Sequence, residues 1–175
     1  QRMPCIAHWP GRIPAGVVRD DLTTMMDILP TVAHLAGAQP PDDRVIDGQD
    51  IRPILFDEPD SGSAYDEVGF FYYHMQQLQA VRSGPWKLYL PLDEKLSNLR
   101  GIVEGCEPAD AELYDVRNDL GETREVSAEY PEVVERLTAL AEKAREDLGD
   151  WDREGANQRE AGWVDDPRPQ VLSVE

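Results

Sequence analysis

The clearest alternation of apolar and polar residues lies in the middle of the chain and predicts an antiparallel sheet. Four runs rich in β-branched and aromatic residues are separated by turn residues. These runs are VGFFYYH, LQAVRSG, WKLYLP and AELYDV, between residues 68 and 116. The alternation allows Arg82 and Lys87 to share one face of the hairpin that the second and third runs form.

A period of about 3.6 residues near the C-terminus predicts a long helix. In SAEYPEVVERLTALAEKAREDLGD, Pro131 suits the first turn and Gly149 ends the helix. The predicted buried stripe consists of Val133, Val134, Leu137, Leu140, Ala141, Ala144 and Leu148. The remaining residues, 151–175, have little periodicity and are predicted to form an irregular tail.

The first part of the chain predicts one strand followed by one helix. PCIAHWPGRIPAG reads as a short buried strand that ends at Trp9, before a turn at Pro10–Gly11. DDLTTMMDILPTVAHLAGA predicts a helix with Asp27 as N-cap, Pro30 in the first turn and Gly37 as the stop. Its predicted apolar stripe consists of Ile28, Val32, Leu35 and Ala36.

Together these elements predict an α/β chain made of two parts. Residues 1–56 are interpreted as the last strand and helix of a large α/β sandwich. Residues 60–150 are interpreted as a small antiparallel sheet packed on the C-terminal helix, after a polar, turn-rich boundary, DEPDSGSAYDE. One strand–helix unit cannot make a sheet, and the sequence begins with Gln1 and an apolar run, so a piece of a longer protein is expected.

The charge balance restricts the class of partner. The 175 residues carry 35 acidic and 17 basic side chains, a net charge of −18, which disfavours nucleic-acid binding because phosphate contacts need a basic surface. No apolar run reaches the ~18 residues of a membrane span. Against this acidic background, His74, Arg82 and Lys87 lie close together on the predicted hairpin. They are either ordinary hairpin residues or they face an anionic ligand.

The residues alone predict no catalytic or metal-binding constellation. The sequence has no G-x-S-x-G and no Ser-x-x-Lys, and His8, His34 and His74 are widely separated. His8, in the predicted strand, and His34, on the predicted helix, are interpreted as structural histidines. Cys106 begins CEPAD, whose acidic surroundings disfavour a thiolate, and is interpreted as a loop cysteine. Whether Cys5 pairs with Cys106 stays open.

Six segments occur in an order that resembles the C-terminal part of sulfatases. They are RMPCIAHWPGRIPAG, DLTTMMDILPTVAHLAGA, DGQDIRPIL, LQAVRSGPWKLYL, ELYDVRNDLGET and YPEVVERL. The resemblance covers residues 2–148 and is to type I, formylglycine-dependent, arylsulfatase-like enzymes of the alkaline-phosphatase-like superfamily. No single segment is diagnostic, but the ordered set is specific.

The resemblance implies a parent protein that hydrolyses sulfuric esters with formylglycine and calcium, both held by an N-terminal part. The family's nucleophile motif, C/S-x-P-x-R, is absent here, and in CEPAD Asp110 stands where Arg is required. No catalytic or metal-binding residue is therefore assigned, and the chain is expected to be inactive alone. The resemblance makes His74 the expected substrate contact, as a hydrogen-bond donor at the cleft. Arg82 and Lys87 are expected to hold the sheet and the subdomain interface.

The partners implied are a sulfate-ester substrate, aryl or carbohydrate, and the N-terminal sulfatase domain. One alternative is a non-catalytic module that binds a sulfated glycan or another partner and folds alone. Another is part of a phosphonate or phosphodiester hydrolase of the same superfamily. The sequence names no compartment; a periplasmic or secreted location follows only from the frequent export of such enzymes.

Overall fold

The computed structural model describes residues 3–92, 96–98, 101–102, 110–158 and 163–167. Its helices are α1 (Ile28–Leu35), α2 (Arg52–Leu55), α3 (Tyr65–Val68) and α4 (Pro131–Leu148), with a 3₁₀ turn at Met25–Asp27. Its strands are β1 (Phe70–His74), β2 (Gln77–Ser83), β3 (Trp86–Tyr89), β4 (Leu96–Asn98), β5 (Gly101–Ile102), β6 (Glu112–Asp115), β7 (Gly149–Asp150) and β8 (Arg153–Glu154). Among the helices of these ranges, none is both long and apolar enough to cross a bilayer.

The four predicted strands form one antiparallel sheet in the order β1-β2-β3-β6. Two-residue turns at 75–76 and 84–85 join the first three strands, and Gly84 adopts a φ of 59° that side chains disfavour. Arg82 pairs directly with Lys87 across the second hairpin, so both side chains lie on one face, as predicted. The mixture of helices and antiparallel sheet agrees with the expected fold class.

Helix α4 covers the other face of this sheet and completes the core. The fully or nearly fully buried residues are Leu78, Val81, Leu88, Leu90, Leu113, Val126, Leu137, Ala141 and Ala144. Val133, Val134 and Leu140 pack against this cluster while half-buried, in agreement with the predicted stripe. Leu148 was wrongly included in the stripe, because it is 39% exposed. It ends α4 one turn beyond Ala144, the last helix residue in the core.

The predicted strand at the start of the chain is wrong. Residues 3–12 are exposed and form no strand, although the turn after Trp9 is present, with Arg12 N donating to Trp9 O at 3.0 Å. A strand needs a neighbour for its backbone N–H and C=O groups, and within the described ranges no strand lies beside this segment. His8 is exposed too, so its interpretation as a buried structural histidine is also wrong.

Helix α1 lies where the sequence predicts it, but its orientation and its cap differ. Ile28 and Val32, expected to be buried, are 47% and 54% exposed, whereas Pro30 and Thr31 are buried. The cause is a hydrogen bond: Thr31 Oγ1 accepts from Ile51 N at 3.0 Å. This contact turns the polar side of α1 towards the segment that contains Ile51. The apolar side of α1 therefore faces outwards.

Asp27 is not the side-chain N-cap of α1 but a buried anchor between three segments. Its carboxylate is 0% exposed and accepts hydrogen bonds from Thr24 N at 2.6 Å, Gln49 N at 2.7 Å and Tyr65 Oη at 2.6 Å. Burial, together with the bond to Asp27, raises the pKa of Tyr65 to about 12, so its hydroxyl remains a donor. Thr24 caps the 3₁₀ turn by accepting from Met26 N.

Gly48 makes the approach of Gln49 to this carboxylate sterically possible. A Cβ at Gly48 would lie 2.0 Å from the carbonyl oxygen of Met26, far inside van der Waals contact. Any side chain at this position would push the 48–49 backbone away from the 3₁₀ turn. The glycine in DGQD is therefore required by close packing.

Arg19 adds a second connection between the first segment and the segment before the sheet. Its guanidinium donates to Asp57 Oδ1 and to Ser61 O, both at 2.8 Å. Ser63 Oγ donates to Leu22 O at 2.6 Å. The polar stretch interpreted as a boundary thus holds the first segment against the rest of the chain.

We expect Asp27→Asn to lower the free energy of unfolding by about 2–3 kcal/mol, because the amide offers one accepting oxygen to three donors. The measurement is chemical denaturation followed by circular dichroism. Asp42→Asn is the matched control, since Asp42 is exposed. Equal denaturation midpoints for the two variants would contradict the anchor role of Asp27.

Leu137→Ala should lower the free energy of unfolding by about 2–5 kcal/mol, because it opens a cavity between α4 and the sheet. Leu148→Ala, on the same helix, should cost less than about 1 kcal/mol because Leu148 is 39% exposed. Thermal unfolding of both variants compares the two positions. A larger loss of stability for Leu148→Ala than for Leu137→Ala would contradict this assignment of core residues.

Candidate substrate-binding site

His74 lies at the end of β1, next to the tight turn that leads into β2. It pairs with Gln77, and the two turn residues are Met75 and Gln76. Met75 has a φ of 56°, a conformation that costs free energy for a residue with a side chain. A two-residue hairpin turn requires such a conformation, and Asp57, Asp60 and Glu122 adopt it too, so it fits the turn without marking a functional position.

The imidazole of His74 has an unsatisfied nitrogen. Its Nε2 is buried, and within the part of the chain that the structure describes it has no hydrogen-bond partner. Leaving a buried polar atom unpaired costs about 1–3 kcal/mol. A histidine nitrogen donates when protonated and accepts when not, so a ligand oxygen or a ligand N–H would satisfy it.

The β1–β2 turn is held in place by the end of helix α4. Tyr73 Oη donates to Gly149 O at 2.8 Å, and Leu78 N donates to Asp150 Oδ1 at 3.0 Å. Burial raises the pKa of Tyr73 to about 12, so its hydroxyl stays a donor. These two bonds flank His74 on both sides of its turn. We call His74, Met75, Gln76, Asp150 and Trp151 the His74 site.

Asp150 organises the second half of the His74 site. Its side chain is 6% exposed and also accepts from Arg145 Nε and from Trp151 N, both at 2.8 Å. Trp151 follows at the tip of the β7–β8 hairpin and is 41% exposed. Sequence reasoning missed this part, although GDWD, directly after a helix-ending glycine, is a turn signal.

Lys87, which the sequence grouped with His74, is satisfied within the fold. Its ammonium donates to Tyr89 Oη at 2.6 Å and to Glu122 Oε1 at 2.7 Å, and it lies 4.3 Å from the centre of the Tyr89 ring. Burial opposes the charge of Lys87, but these hydrogen bonds outweigh it, so the pKa of Lys87 is raised. Burial likewise favours a neutral Glu122, yet the bonds from Lys87 and Tyr89 lower its pKa. Lys87 therefore stabilises the sheet.

Arg82 lies where the first segment meets the sheet. Its Nε donates to Gly84 O at 3.3 Å. Its side chain lines an open cleft of about 160 Å³ whose walls come from both parts of the chain. The lining residues are Asp20, Asp21, Leu22, Asp66, Arg82 and Arg117. The structure therefore does not bring Arg82 into the His74 site.

The described residues do not fit a metal ion. Within the described ranges, no group of three or more His, Cys, Asp or Glu side chains is arranged to hold one. His34, on α1, has its Nε2 3.9 Å from Asp50 Oδ2. Cys5 is exposed, while Cys106 and most of CEPAD lie outside the described residues.

Comparison with known proteins matches residues 66–165 to the family model described as the C-terminal region of aryl-sulfatase. The matched stretch contains the whole sheet, helix α4 and the His74 site. The N-acetylgalactosamine-6-sulfatase of Canis lupus familiaris is 44% identical over 88 residues, covering 50% of this chain and 16% of that protein. The steryl-sulfatase of Mus musculus is 34% identical over 164 residues, covering 82% of this chain and 26% of that protein.

Among solved structures, that of Ps i-CgsB shares the fold, with a TM-score of 0.58 over 78% of this chain and 27% of that one, at 23% identity. The chain spans 16% and 26% of the length of the two curated relatives above. The family model matches more than half of the chain and includes its core. The chain therefore belongs to the sulfatase family and corresponds to the C-terminal region of its members.

Proposed function

We propose that this chain is the C-terminal part of a sulfuric ester hydrolase of the arylsulfatase type and helps to shape its substrate cleft. The observation that carries the proposal is the family match over the sheet and α4. The two curated relatives bear the names of enzymes for very different alcohols, an amino sugar and a steroid. The sulfate ester is their common feature, so the proposal names the ester and not the alcohol.

In this proposal His74 is the contribution of the chain to substrate binding. Its Nε2 is buried and unpaired in the described part of the chain. With Nε2 protonated, the ring would donate a hydrogen bond to an oxygen of the substrate. Such a bond would be strong, because the nitrogen is already out of water and its partner carries negative charge.

The proposed partner is the N-terminal domain of the sulfatase, which carries the catalytic groups. The first part of the chain leaves many large apolar side chains exposed, and we propose that they form one docking face, called the apolar face. This face consists of Met3, Ile6, Val17, Val18, Met25, Met26, Ile28, Leu29, Val32 and Val45. Ile6 and Val18 are 93% and 86% exposed. A large domain packed on this face would remove these side chains from water.

We assign formylglycine and calcium to that domain. The described residues of this chain offer no ligand cluster for a metal ion. Its sequence lacks the C/S-x-P-x-R motif. A cation in that domain would stabilise the charge on the sulfate. The residues of this chain contribute orientation of the substrate and a wall that excludes water.

The reaction class is tested by assaying the full-length protein that carries this chain, with calcium, on 4-nitrophenyl sulfate, and the 175-residue chain in parallel. We expect hydrolysis by the full-length protein and none by the chain, since the nucleophile motif is absent from it. Turnover by the chain alone would contradict the proposal. So would cleavage of a phosphodiester or phosphonate but not of the sulfate.

The role of His74 is tested by His74→Phe in the full-length protein. We expect KM to rise roughly tenfold, the loss of about 1.4 kcal/mol of binding. Stability should stay unchanged within about 1 kcal/mol, because Nε2 makes no hydrogen bond with the described residues. His34→Gln, which alters a histidine on α1, is the control and should change neither quantity. A drop in stability without a change in KM would make His74 a structural residue.

A further inference from the structure

We propose that Trp151 is a substrate-positioning residue whose indole stacks on a pyranose ring of a sulfated carbohydrate. The inference deepens the proposed function and rests on it. It also narrows the substrate class, since it selects a carbohydrate ester over a steroid or simple aryl ester.

The first argument is location. The β7–β8 hairpin, whose tip is Trp151, lies against the turn that follows His74, because Tyr73 donates to Gly149 O and Leu78 N donates to Asp150. His74 lies between Tyr73 and Leu78 along the chain, so the two hairpin tips lie at one end of the sheet. A ligand that reaches the unpaired Nε2 of His74 from this end would pass close to Trp151.

The second argument is rigidity. The hairpin has only two residues in each strand, yet its base is strongly held. Asp150 receives three hydrogen bonds, and Glu142 pairs with both Arg145 and Arg153, the latter at 2.9 Å. Gly149 has a φ of 87°, and a Cβ there would lie 2.6 Å from Gly155 N. This framework holds the Trp151 backbone in one position.

The third argument is the state of the indole itself. Trp151 is 41% exposed, and its ring N–H donates to no acceptor among the described residues. Trp86, in the sheet, is half-buried against Tyr130, with ring centres 4.7 Å apart. A flat, amphipathic ring that is partly exposed on a well-held hairpin, with its N–H donor available, is a suitable surface for binding a ligand.

The chemistry around the ring selects a sugar. Gln76 and Asp152 are exposed residues of the β1–β2 and β7–β8 turns, and Arg153, which follows Asp152, is 43% exposed. A pyranose has an apolar C–H face that packs on an indole and a rim of hydroxyl groups that hydrogen-bond to such polar side chains. A steroid would need an enclosed apolar pocket instead.

The test compares Trp151→Ala and Trp163→Ala in the full-length enzyme, using two substrates, a sulfated oligosaccharide and 4-nitrophenyl sulfate. For Trp151→Ala we expect KM on the oligosaccharide to rise roughly three- to tenfold, as for the loss of an aromatic stacking contact. The kcat on both substrates and the KM on 4-nitrophenyl sulfate should stay unchanged. Trp163 is 85% exposed, and its variant should change none of these constants.

Three results overturn the inference. If Trp151→Ala leaves the KM for the oligosaccharide unchanged, Trp151 does not stack on the sugar, although the proposed function still stands. Equal KM increases on both substrates show a general distortion of the site. If the unsubstituted enzyme cleaves neither sulfate ester, the proposed function fails, and this inference fails with it.

Discussion

The buried carboxylate of Asp27 is the interaction on which the arrangement of the two parts of the chain depends. A charge with no exposure is tolerated only when donors replace the lost water, and here the donors come from three segments, at Thr24, Gln49 and Tyr65. These segments must therefore meet at one point. Because Asp27 precedes α1 directly, the anchor also fixes the helix, with its polar side inwards and its apolar side outwards.

A second constraint is the packing of the core, which also fixes the position of the His74 site. Packing of Leu137, Ala141 and Ala144 against the sheet fixes the position of α4. The end of α4 then carries Asp150 to the start of β2, where it bonds Leu78 N. The His74 nitrogen, unpaired among the described residues, and the exposed Trp151 ring thus lie on one frame, as the proposed positioning of a substrate requires.

Most of the sheet and α4 could be predicted from the sequence because the signals that form these elements are local. β1 pairs with β2 and β2 pairs with β3 through two-residue turns, so alternation and turn residues suffice there, whereas β6 pairs with β3 across a longer gap. The errors occur where the deciding contact is distant in sequence. Asp27 and Tyr65 are far apart in sequence, and neither residue type indicates that the other is its partner. The sequence predicts burial for the exposed side of α1 and for the segment before Trp9. An apolar pattern indicates that a segment is covered but does not identify the element that covers it. His74 was selected by family resemblance; its unpaired nitrogen is visible only in the structure.

We propose that this chain is one part of a larger sulfatase, whose N-terminal domain covers the apolar face. Hydrogen–deuterium exchange measures this most directly, by comparing backbone amides in the 175-residue chain and in the full-length protein. We expect strong additional protection of residues 3–45 in the full-length protein, and little change in the centre of α4, which the sheet buries in both proteins. Equal exchange of residues 3–45 in the two proteins would contradict it.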